Sequence, residues 1–169
     1  TALCYAESDD GVEWRKPELD ICPAEDGRPS NMLLRVPFDN FSVIRDPGDP
    51  ERPWKGAAWT DGPEGRGVYG FTSPDGLHWE RSERALLPLA GDTTSLWHDP
   101  LKGTCVLFTR YGPGEGLPGP FGSRRVWRSD SANFRIWSPP RRIFDWSVGD
   151  YYLGQQHYGA DGFVYGDTY

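Results

Sequence analysis

The chain has 169 residues and a formal net charge of −7 at neutral pH, with 18 Lys and Arg against 25 Asp and Glu. That balance argues against nucleic-acid binding, which needs clustered Lys and Arg, and no apolar run reaches the ~18 residues of a membrane span. Twenty-one Gly and 16 Pro beside eight each of Trp, Tyr and Phe exclude a solvated tail; they point to one domain of short strands joined by tight turns.

In chain order, the predicted strands are ALCYAES, NMLLRV, FSVIR, KGAAWT, GVYGFTS, TSLWH, TCVLFTR, RRVWRS and GFVYGDTY. Each is short, rich in β-branched and aromatic residues, and bounded by Gly, Pro, Asp or Ser. No stretch longer than ten residues holds a helical period, so the expected fold is all-β. Cys4, Cys22 and Cys105 are odd in number and match no metal-ligand spacing, which leaves free thiols as the default and no metal or other cofactor expected. The chain opens at Thr1 inside an apolar segment and reads as a piece of something longer, expected on its own to be poorly stable or to associate.

Internal repetition narrows the fold. DNFSVIRDP from Asp39 aligns with DTTSLWHDP from Asp92 at an offset of 53, and KGAAWT and GVYGFTS then answer TCVLFTR and RRVWRS. Asp39, Asp92 and Asp150 each open a unit, and each unit closes on a Trp. A period of about 50 residues with four strands per unit is the mark of a β-propeller blade. The expected division is a blade end over 1–38, blades over 39–91 and 92–149, and the start of another over 150–169.

SDDGVEW at Ser8 to Trp14 returns as SPDGLHW at Ser73 to Trp79, and more loosely as SDSANFRIW at Ser129 to Trp137. The Asp-Gly pairs suit type I′ hairpin turns, with positive φ at both central residues. Ser8 and Ser73 are placed to bond backbone across the turn, and Trp14 and Trp79 to pack between adjacent sheets. The motif reads as scaffold: the outer hairpin of a blade.

LCYAESDDGVEWRKPELDI, VYGFTSPDGLHWERSE and SLWHDPLKGTCVLFTR resemble the five-bladed propellers of the glycoside hydrolase family 32 and 43 superfamily, in particular its uncharacterised bacterial family 32 N-terminal-like branch. Adjacency of Asp10 with Gly11 and of Asp75 with Gly76 favours that group over the six-bladed sialidases, whose box has one more residue. The resemblance implies a funnel lined by the first strand of each blade, with three carboxylates serving as nucleophile or base, transition-state stabiliser and general acid. It also implies a carbohydrate substrate, furanosides included, and an extracellular or periplasmic setting. An oxocarbenium-like transition state needs negative charge on one face and a proton donor at the leaving oxygen.

On that resemblance the candidate catalytic residues are Asp39, Asp92 and Asp150. Asp150 stands where the family usually has Glu, and the nucleophile is expected upstream of Thr1. The same three residues read equally well as caps that bond backbone at the funnel mouth. Arg45-Asp46-Pro47 matches the family's Arg-Asp-Pro motif, but Asp46 aligns with Asp99 at the turn after the innermost strand; it is expected to face solvent there. Trp97, His98, Tyr151, Tyr152, Gln155 and His157 are candidates for sugar binding, with packing or turn roles as the alternative. The two function classes are a glycoside hydrolase and a propeller that binds carbohydrate or protein without chemistry.

Overall fold

The computed structural model describes residues 1–111, 125–144 and 159–166. All the regular elements are strands, every ladder is antiparallel, and no helix occurs among the described residues. No helix there is long and apolar enough to cross a membrane. A short ladder joins β1 (Leu3–Cys4) to β2 (Met32–Leu34). The first four-stranded sheet runs in chain order through β3 (Phe38–Arg45), β4 (Trp54–Gly62), β5 (Gly65–Ser73) and β6 (Glu80–Pro88). The second repeats the meander with β7 (Ala90–Asp99), β8 (Thr104–Tyr111), β9 (Trp127–Ser131) and β10 (Arg141–Arg142).

Burial explains why β4 and β5 lack the alternation of a half-exposed strand. Lys55 to Ala58 and Gly67 to Phe71 are buried without a break, because apolar layers cover both faces of the sheet. One layer joins the two sheets, with Ala57, Val68 and Leu87 meeting Leu96, Cys105, Leu107 and Phe134. The opposite face of the first sheet packs Ala58, Tyr69 and Phe71 against Leu34, Val36, Phe41 and Trp79. The far face of the second gathers Val106, Phe108 and Val126 with Trp97, Ile143 and Ala160. Gly56 shows how close these layers come: a Cβ there would lie 2.6 Å from the Phe41 ring.

Two elements depart from expectation. β6, ERSERALLP, is a strand the sequence did not announce, since only Leu87 is buried and charged residues dominate the rest. It lies at the outer edge of its sheet, where charge discourages pairing with another chain. ALCYAES, in contrast, yields only Leu3–Cys4 and a single bridge from Glu7 to Arg15.

The Asp-Gly loops are not type I′ turns. Gly11 (φ 77°) and Gly76 (φ 80°) adopt positive φ, but Asp10 and Asp75 do not. The side chains build the turn instead. Asp10 Oδ1 accepts the N–H groups of Val12 and Glu13 (2.8 and 2.9 Å), and Asp75 Oδ1 those of Leu77 and His78 (both 2.8 Å). Ser8 and Ser73 accept from the glycine N–H at 2.8 and 2.9 Å. In the looser third copy Asn133 replaces Asp and accepts from Arg135 and Ile136, while Phe134 takes the glycine position at φ 59°. Each Trp indole N–H then donates back to the carbonyl of the positive-φ residue. Trp79 and Trp137 pack against the cores, whereas Trp14 is 60% exposed.

Candidate active-site edge

β3 and β7 lie side by side and begin at one edge. Both ladders slip there, between Asp39 and Ser42 and between Ala90 and Thr94, so each first strand opens on a bulge. Asn40, at φ 51°, uses the first bulge to donate from Nδ2 to the Asp92 carbonyl (2.8 Å). Two residues on, Ser42 Oγ accepts the Leu96 N–H (2.9 Å). Its counterpart one period later, Ser95, donates to Asp161 (3.0 Å). The same hydroxyl position therefore ties each first strand to the layer that follows it.

Asp39 is exposed at this edge, beside Arg66. The Arg66 guanidinium pairs with both Asp61 oxygens (2.9 and 2.8 Å), and those bonds, helped by the field of Asp39, raise its pKa. Asp92 is half-buried and forms an ion pair with the buried Arg110. Arg110 closes TCVLFTR and escaped sequence reasoning, because only the ladder between β7 and β8 sets it against Asp92.

Asp46 and Asp99 lie at the other ends of these strands. Asp46 Oδ1 accepts the Gly48 N–H (2.9 Å), and Asp99 Oδ1 accepts those of Leu101 and Lys102 (3.0 and 3.2 Å). Both cap the turn that follows. The expectation that Asp46 faces solvent is corrected: its side chain is 13% exposed, with His98 Nε2 at 3.8 Å and Cys105 Sγ at 3.9 Å. The second sheet covers that turn, which the sequence of the turn itself does not show. Burial, with the Asp46 charge beside it, pushes the Cys105 thiol up to about 12, so this cysteine is not a nucleophile at neutral pH.

The structure thus brings Asp39 and Asp92 to one edge. It does not bring Trp97 and His98 there: they stand five and six residues further along β7, ~16–20 Å at strand rise. Trp97 packs under Gly162 beside an apolar groove lined by Phe108, Ile143 and Phe163, and His98 faces Asp46. Asp150, Tyr151, Tyr152, Gln155 and His157 lie outside the described residues. Among the described residues no three His, Cys, Asp or Glu side chains group to hold a metal ion.

No family model matches the chain, and no curated protein matches it. Among solved structures it is similar to one described as a "putative glycoside hydrolase" from Parabacteroides distasonis, at 16% identity and a TM-score of 0.49. The match covers 91% of this chain and 46% of that one, so the chain spans less than half the length of that structure.

Proposed function

We propose that the two sheets are adjacent blades of a five-bladed β-propeller of the glycoside hydrolase family 32 and 43 type, and that the intact protein hydrolyses glycosides or oligosaccharides. The observation that supports this reading is the shared edge: two bulged first strands, side by side, each opening on an aspartate. Bulges concentrate next to active sites because they re-aim side chains at the rim of a sheet.

In this reading Asp92 supplies the negative charge that stabilises the oxocarbenium-like transition state. Its ion pair with Arg110 suits a fixed charge rather than a proton donor. Asp39 contributes from the neighbouring blade, and Asp150 is the candidate to protonate the leaving oxygen while water completes the hydrolysis. Asp46 has a different role: it caps a covered turn.

The test is a rate comparison on the full-length protein with a panel of p-nitrophenyl furanosides and pyranosides. Asp92→Asn keeps the side-chain shape and removes the charge, with an expected loss of about 10²–10³ in kcat. Asp46→Asn is expected to lower stability and leave kcat within about threefold, since its carboxylate lies a strand's length from the edge. A dead Asp46→Asn with a near-normal Asp92→Asn overturns the assignment. Binding of oligosaccharides without cleavage of any substrate favours a binding propeller instead.

A further inference from the structure

Away from the Asp39–Asp92 edge, the two sheets part over β5 and β6 to leave a cleft of 540 Å³. Its floor is apolar. Leu86 and the buried Phe134 meet across Gly70, where a Cβ would come within 3.0 Å of both, so a side chain at that position would press on the floor. The walls are cationic. Lys55 is 3% exposed, pairs with Asp49 at 2.5 Å and sets its ammonium 5.5 Å from the Phe134 ring centroid. Arg52 donates to Thr72 (3.3 Å) and pairs with Glu80 (2.8 Å).

Asp49 and Glu80 thereby neutralise Lys55 and Arg52. Of the other three guanidinium groups on the lining, Arg81 donates to the Asp61 carbonyl (3.0 Å) and lies over the Tyr69 ring, while Arg84 and Arg135 come from opposite sheets. Arg84 on β6 reaches Glu64 only at 3.9 Å, and Arg135, on the loop that follows β9, forms no ion pair with any described residue. Both side chains are exposed, and an anion between them would accept charge-assisted hydrogen bonds from each. The local excess runs against a chain whose net charge is −7.

We propose that this cleft binds a compact oxyanion-bearing ligand, with its carboxylate, sulfate or phosphate group between Arg84 and Arg135 and its body against Leu86 and Phe134. Planar guanidinium pairs are suited to such groups because two parallel N–H bonds match two oxygens. The site is separate from the Asp39–Asp92 edge and does not depend on hydrolysis.

The test is calorimetric titration of the full-length protein with D-glucuronate, glucose 6-sulfate, glucose 6-phosphate and neutral glucose, followed by amide NMR. At least one anionic sugar is expected to bind, with shifts at Gly70 and Asn133, and to weaken as salt is raised. Arg135→Gln should weaken that binding about tenfold, as loss of a charge-assisted pair does. Arg135 joins the loop through its backbone N–H to Asn133, so the substitution spares the fold; Arg84→Gln, on an 88% exposed side chain, provides an independent variant. Preference for glucuronate assigns the group as a carboxylate, and preference for an ester as sulfate or phosphate. Equal binding of glucose, unchanged affinity in both variants, or no binding of any anion overturns the proposal.

Discussion

Phe134 stands where the two sister loops have glycine, and its backbone accepts φ 59° to do so. A left-handed conformation costs an ordinary side chain ~1–2 kcal/mol. Burying the ring against Trp137 and the shared core is worth more, since removing a buried Phe costs ~3–5 kcal/mol. Phe134→Gly is therefore expected to lower unfolding free energy by about 2 kcal/mol in urea titrations despite the relieved strain. A more stable variant would mean that strain dominates. Asp75 makes the complementary case. Backbone N–H groups and the His78 side chain hold its carboxyl well below the usual value near 3.8. A depressed folded pKa contributes stability that is full above the unfolded value and is lost as pH falls through the folded one. Asp75→Asn should thus lower the unfolding free energy at neutral pH by on the order of 1 kcal/mol, given its exposed setting, and the gap to wild type in denaturant titrations should close as pH drops below about 4. A gap that widens in acid would reverse the assignment.

At the scale of elements, the bulges at the starts of β3 and β7 convert a sequence repeat into contact between sheets. Ser42 is the link. Its hydroxyl accepts the Leu96 N–H and so joins strands that share no ladder. Ser42→Ala would leave that N–H without its acceptor in a half-buried setting, at a cost of about 1–3 kcal/mol. Hydrogen exchange should report the loss locally, with faster exchange at Leu96 and little change at Ala57. Unchanged exchange at Leu96 would remove the inter-sheet bond from the account. β6 shows the opposite kind of element: its charges keep it soluble as an edge, and its few apolar residues, Ala85, Leu86 and Leu87, still find the cores on either face.

For the whole molecule, the decisive feature is that apolar layers alternate with sheets along one direction. Each four-stranded sheet has a core on both faces, which is why small residues line β4 and why Lys55 can be buried only with Asp49 beside it. The same stacking places the first strands next to each other and gathers Asp39 and Asp92 at one edge. Asp46 and Asp99 fall at the opposite edge as turn caps. The contrast between Asp92→Asn and Asp46→Asn is therefore a test of this stacking as much as of chemistry. The same separation sets the cleft of Arg84 and Arg135 apart from the proposed catalytic edge.

Local chemistry alone determined much of this protein. Short apolar segments between Gly, Pro and Asp announced an all-β chain, and the offset from Asp39 to Asp92 marked equivalent strands, because side-chain period and turn residues act over a few positions. The Ser–Asp–Gly–Trp loops were legible as scaffold, but their geometry was not: the carboxylate accepting two N–H groups, rather than paired positive φ, shapes the turn. β6 escaped because its burial comes from the two cores it borders and not from its own pattern. Arg110 against Asp92, His98 and Cys105 over Asp46, and the cationic walls of the cleft were likewise decided only in three dimensions. Each joins residues from different strands or sheets, and long-range pairing of that kind is set by packing, which no local window of sequence contains.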